Sequence, residues 1–192
     1  MVTDDDADEL YVADGYGNRR VIVFDAKTAA YKRHWGAYGT APNDEPLPPY
    51  KPAPISALSR SFSSPVHCVR LSRDGLVYVC DRANDRIQVF KKDGSFVKEF
   101  QVEPQTLQNG AVWDLVLSED EAQRYIFVAD GANNQMLVVD RASGKVLSRF
   151  GRPGRMAGEL KWVHNMAIDS KGNLYTAEVG TGRRAQKFVR VQ

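Results

Sequence analysis

The chain has 192 residues, with 26 basic and 24 acidic side chains interspersed along it and a formal charge of +2. That length suits a single domain over residues 1–192, and the balanced charge supplies no field to attract nucleic acid or an anionic membrane. No apolar run approaches the ~20 residues a membrane span needs, and the acidic start Asp4-Asp5-Asp6 is unlike a signal peptide, so the compartment stays open.

The first element in chain order is a short apolar run, Leu10-Tyr11-Val12-Ala13-Asp14, followed by a Gly/Asn turn and a second run, Val21-Ile22-Val23-Phe24. An outer stretch from Tyr31 to Trp35 comes next and contains His34, which reads as a surface residue. Residues 37–62 then hold six of the nine prolines and are predicted to form an extended surface loop, because proline cannot donate to a central ladder.

The same pattern returns three times. Its acidic landmark recurs at Asp81, Asp130 and Glu178, after Val77-Tyr78-Val79-Cys80, Ile126-Phe127-Val128-Ala129 and Leu174-Tyr175-Thr176-Ala177. The second repeat reads as a meander of Val66–Leu71, Leu76–Cys80, Arg86–Phe90 and Phe96–Phe100, with turns between them that carry Asp74-Gly75 and Asp93-Gly94. A three-residue loop at Arg73-Asp74-Gly75 places Cys68 opposite Cys80, and free thiols are the expected state, since a cross-strand bridge there would be strained. Helix signals are nearly absent.

A four-stranded sheet with two apolar faces must stack on neighbours, so the expected fold is an all-β propeller of about four antiparallel blades. The blades resemble the NHL-repeat family, most clearly in "GLVYVCDRANDRIQVF" and "GNLYTAEVGTGRRAQKF". Only Val2 and Thr3 are left for the first inner strand, and blade four has no outer strand. The array is therefore expected to be incomplete relative to a six-bladed ring, with self-association as one way to complete it.

Two of the three histidines share a place in the repeat, His67 lying 11 residues before Tyr78 and His164 11 before Tyr175, while Trp113 takes that place in the blade between. Inner strands line a propeller's channel, so the pair should face one axis. They read either as zinc ligands or as hydrogen-bonded channel histidines without metal.

"VADGYGNRRVIVF", "VCDRANDRIQVF" and Trp162-Val163-His164 resemble the peptidyl-α-hydroxyglycine α-amidating lyase family. The resemblance implies zinc on His67 and His164, with Tyr16 and Arg82 as catalytic residues: the tyrosine assisting proton transfer and the arginine holding a carboxylate. It implies an exported origin as well. The chain departs from the family at Trp162 and Asn165, where the family has methionine and an aspartate near a structural calcium, so that calcium is not expected. A third histidine and a further arginine would lie in blades this chain lacks, which leaves the site incomplete by that measure. The functions consistent with the residues are therefore a zinc-dependent C–N lyase acting on a peptide-derived ligand, and a non-catalytic NHL scaffold binding a protein or small ligand on its loop faces.

Overall fold

The four repeats fold as four antiparallel sheets in the computed structural model, which describes residues 1–191. Blade one contains β1 (Val2–Asp4), β2 (Glu9–Asp14), β3 (Arg20–Asp25) and β4 (Tyr31–Trp35). Blade two contains β5 (Val66–Leu71), β6 (Leu76–Asp81), β7 (Arg86–Lys91) and β8 (Phe96–Gln101). Blade three follows with β9 (Val112–Leu117), β10 (Tyr125–Asp130), β11 (Gln135–Asp140) and β12 (Val146–Phe150). Among the described residues blade four has three strands: β13 (Val163–Ile168), β14 (Leu174–Glu178) and β15 (Ala185–Phe188). The fold is an all-β propeller of four blades, and its only helical pieces among the described residues are three one-turn 3-10 segments.

Strand alternation explains how both faces of an inner blade are buried at once. In blade two, Val69, Val77 and Val79 point into the gap toward blade one, where they meet Tyr11, Val21 and Val23. Cys68, Tyr78 and Cys80 point the other way and meet Leu115, Val128 and Leu137 of blade three. A third core, of Trp113, Ala129, Met136, Leu160, Val163 and Met166, fills the gap between blades three and four.

The outer strands close each gap with an aromatic at one repeated register position: Trp35 opposite Val21, Phe100 opposite Ile87 and Phe150 opposite Met136. Trp35 lies over the turn of the next blade at Gly94 (φ 91), where a Cβ would come within 3.0 Å of the indole. That turn therefore requires glycine for both its conformation and its contact.

The acidic landmark of the repeat also has a structural reason. Each acid ends the second strand of its blade and accepts a hydrogen bond across the following turn, from the residue that opens the third strand in Arg20 to Asp14 (2.9 Å), Arg86 to Asp81 (2.6 Å) and Gln135 to Asp130 (2.8 Å), and from the residue just before it in Arg184 to Glu178 (2.8 Å). The polar turn between the two strands is thus clamped by side chains, which orders the loops at that end of every blade.

The segment 37–62 lies over blade two as an anchored strap. It is largely exposed, yet Leu58 and Phe62 are buried, and Phe62 stacks edge-on against Phe90 with ring centroids 6.2 Å apart.

The thiol expectation is corrected. The strand register does place Cys68 opposite Cys80, and the two sulfurs form a disulfide across Cα atoms 4.8 Å apart. The directly opposed pair lies within the reach of a bridge, so cross-strand placement is no obstacle to oxidation. Alkylation in denaturant without reductant is expected to find no free thiol, and two after reduction. Recovery of two thiols without reductant would contradict the bridge.

Candidate functional site

One backbone device builds the site in three successive blades. In β5 the pairing with β6 steps from Val66↔Asp81 to Cys68↔Cys80, leaving His67 unpaired. Trp113 is skipped in the same way in β9, and His164 in β13. Each is the extra residue of a β-bulge, and a bulge re-aims the side chain it carries. The histidines and the tryptophan thus leave the regular alternation at the same end of their blades and converge.

Tyr16 arrives from the turn between β2 and β3. Gly15 makes this possible, because its backbone presses so closely on Val66 that a Cβ there would overlap the Val66 main chain. Arg82 follows Asp81 at the end of β6, held by the clamped turn. All four residues singled out from the sequence are brought together.

The distances define a compact triangle. Tyr16 Oη is 3.0 Å from His67 Nε2 and 3.3 Å from His164 Nε2, and the two Nε2 atoms are 3.2 Å apart. Arg82 reaches Tyr16 Oη through Nη1 at 3.5 Å, with its guanidinium carbon 4.7 Å above the Trp113 ring. Arg82 has no carboxylate partner among the described residues, and its buried Nε makes no hydrogen bond. Burial lowers its pKa, although it remains a cation.

Proton bookkeeping makes the triangle unusual. His67 Nδ1 faces the carbonyl oxygen of Trp113 and must donate to it, so its Nε2 presents a lone pair. His164 Nδ1 sits 3.0 Å from Asn165 Oδ1, which assigns the same tautomer to His164. Tyr16 has one hydroxyl proton and can satisfy only one of the two Nε2 atoms. The other is left facing a lone pair at 3.2 Å. Burial holds His67 down at about 4, with Arg82 and His164 adding to the shift, so protonation of His67 does not resolve the conflict at neutral pH.

A bound cation would resolve it. Four ligands about zinc at 2.0–2.1 Å lie roughly 3.3 Å from one another, which is close to all three edges of this triangle. Two imidazole nitrogens and a phenol oxygen form a suitable donor set for zinc. Tyr16 stands where a third histidine would complete such a set, a place the sequence left open.

Trp113 acquires a role that sequence reasoning left blank: its carbonyl fixes the His67 tautomer and its ring supports Arg82. The repeat spacing marked its position, but only the bulge shows its function. A separate apolar cavity of 510 Å³ lies between blades three and four, lined by Phe127, Val138, Phe150, Leu174 and Phe188, and none of the four site residues borders it.

Comparison with known proteins agrees with the architecture. The family model for the NHL repeat matches residues 66–90, the first three strands of blade two. NHL repeat-containing protein 3 is 26% identical in Mus musculus and 27% identical in Homo sapiens, in each case over 96% of this chain and 48% of the relative. The chain spans about half the length of these curated relatives. Among solved structures, hydrazine synthase of Kuenenia stuttgartiensis superposes on 95% of this chain and 46% of its own with a TM-score of 0.57 at 15% identity. The computationally designed Ika8 protein covers 99% of this chain and 44% of its own at a TM-score of 0.53 and 12% identity. At these identities the likeness is one of fold.

Proposed function

We propose that Tyr16, His67, Arg82 and His164 form a metal-assisted lyase centre that cleaves a peptidyl-α-hydroxyglycine to a peptide amide and glyoxylate. The observation that carries this reading is the triangle of His67 Nε2, His164 Nε2 and Tyr16 Oη beside an arginine without a carboxylate partner. Zinc held by the two histidines would supply Lewis-acid polarisation of the substrate hydroxyl.

The chain's own residues account for the rest. Arg82 offers two parallel N–H donors to the glycine carboxylate, and stacking on Trp113 fixes the plane of that fork. Tyr16 Oη relays the proton, giving its own hydroxyl hydrogen to the departing amide nitrogen as it accepts the hydrogen of the substrate hydroxyl. The C–N electron pair goes to nitrogen while the O–H pair becomes the second C–O bond of glyoxylate. One proton moves from oxygen to nitrogen, so no oxidant or co-reactant is needed. His67 stays neutral far below pH 7, so its Nε2 lone pair is available throughout.

Zinc-supplemented protein is expected to release glyoxylate from a peptidyl-α-hydroxyglycine above a zinc-only blank. His67→Ala and His164→Ala should lose both bound zinc and activity. Arg82→Ala should keep the zinc while kcat/KM falls by about two orders of magnitude, the size of effect expected for losing a charged substrate contact. Release no greater than the blank would favour the scaffold reading, in which the same loop face holds a protein or small ligand without turning it over.

A further inference from the structure

The strap over blade two carries a second feature, unrelated to the triangle. Residues 46–54, Pro46-Leu47-Pro48-Pro49-Tyr50-Lys51-Pro52-Ala53-Pro54, form neither helix nor strand. Their burial repeats every three residues: Leu47, Tyr50 and Ala53 are half-buried, while Pro46, Pro48, Pro49, Lys51, Pro52 and Pro54 are exposed. Three residues per turn is the period of a polyproline II helix. Pro54, where the run ends, has φ −56 and ψ 147, close to that conformation.

Such a helix is three-sided, and here one side is fixed to the propeller. The Tyr50 hydroxyl donates to the Pro104 carbonyl at 2.9 Å, and Gln101 Nε2 donates to the Ala53 carbonyl at 3.0 Å. Upstream, Asp44 accepts from the Arg19 backbone N–H at 2.7 Å, which ties the start of the run to blade one. The other two sides face outward as ridges, one of Pro46, Pro49 and Pro52, the other of Pro48, Lys51 and Pro54. Proline also removes backbone donors from these ridges, so strand addition is not available to this segment.

We propose that this outward face is a docking site for a protein domain whose groove is lined with aromatic rings and rimmed by carboxylates. Aromatic slots receive paired prolines along a polyproline helix, and the helix is already ordered, so little conformational entropy is lost on binding. The spacing Pro46-x-x-Pro49-x-Lys51 places a cation two residues beyond the second of these prolines, on the exposed side, where an acidic rim can meet it. The intervening Leu47 and Tyr50 point back into the protein, so a partner can grip two ridges without displacing the third. A groove that must take the tyrosine ring itself is disfavoured, because Tyr50 is tied to Pro104.

The test uses the intact chain and, as probe, an isolated SH3 domain that selects P-x-x-P-x-Lys/Arg peptides. Calorimetric titration should show saturable binding that weakens about tenfold or more in Lys51→Glu and in the double variant Pro46→Ala/Pro49→Ala. Those side chains are exposed, and an unchanged thermal transition confirms that each variant remains folded. The proposal fails if neither the chain nor a synthetic peptide of residues 44–54 binds. It fails equally if the peptide binds and the folded chain does not, if binding survives both variants, or if a WW domain requiring the tyrosine ring binds more tightly than the SH3 probe.

Discussion

Urea denaturation at pH 7 is expected to find Arg86→Ala less stable than the parent by about 3–5 kcal/mol, the range for removing one partner of a buried ion pair. Arg86 and Asp81 are both fully buried, with Arg86 Nε 2.6 Å from Asp81 Oδ2. The same guanidinium donates to the Tyr38 hydroxyl at 2.8 Å and to the Ser61 carbonyl at 3.1 Å, so it also anchors both ends of the strap. Alanine would leave the Asp81 carboxylate without its cation, where burial already pushes its pKa up and Arg86 pulls it back. The equivalent pair in blade one provides the control. Arg20 and Asp14 are each 29% exposed, and solvent screens them, so Arg20→Ala should cost no more than about 1 kcal/mol. Equal losses for the two variants would refute the assignment of Arg86 as a buried keystone.

That contrast marks how far the sequence could be read. The acid, turn and apolar run recur visibly, so the meander, its strand limits to within a residue or so, and the alternation that buries both faces of blade two were all legible. The burial of one acid–arginine pair and the exposure of its counterpart were not, because that difference depends on the strap folding over blade two and on Phe62 entering a core. The four site residues could be named from repeat position and family resemblance. That the two histidines would face one axis also followed from their repeat position, but the close contact of all four did not, since it depends on bulges at His67, Trp113 and His164, and a bulge adds one residue without any marked change in composition. Tyr16 completing the triangle was hidden for the same reason: the contact spans 51 positions to His67 and 148 to His164. The disulfide was misjudged on general grounds of strain, although the register that permits it had been read correctly.

Asp85→Asn is expected to make the protein more stable, which is the rarer direction for a change in a core. Asp85 is fully buried in a left-handed conformation (φ 50), its Oδ1 accepts the Ala111 backbone N–H at 2.7 Å, and its Oδ2 has no hydrogen-bond partner. Burial pushes its pKa up to about 8, against the Ala111 hydrogen bond and with the charges of Asp130, Asp81 and Glu103 adding to the rise. The native state therefore holds a proton between about pH 4 and pH 8 that the unfolded chain has released. Stability must fall as pH rises through that window and level off above it. Asparagine removes the ionisation, keeps the acceptor and tolerates left-handed backbone. Blade three already makes this choice: Asn134 holds the equivalent position at φ 55, and its Oδ1 accepts the Trp162 N–H at 2.8 Å. A new amide hydrogen that finds only a weak acceptor offsets part of the gain, on the order of 1–3 kcal/mol. The net stabilisation at pH 8 should still be about 2 kcal/mol, and should shrink toward zero or reverse near pH 4.5. Urea midpoints measured across that range decide the matter: a variant no more stable than the parent at pH 8, or a difference that does not change with pH, would show that Asp85 is not the strained carboxylate described.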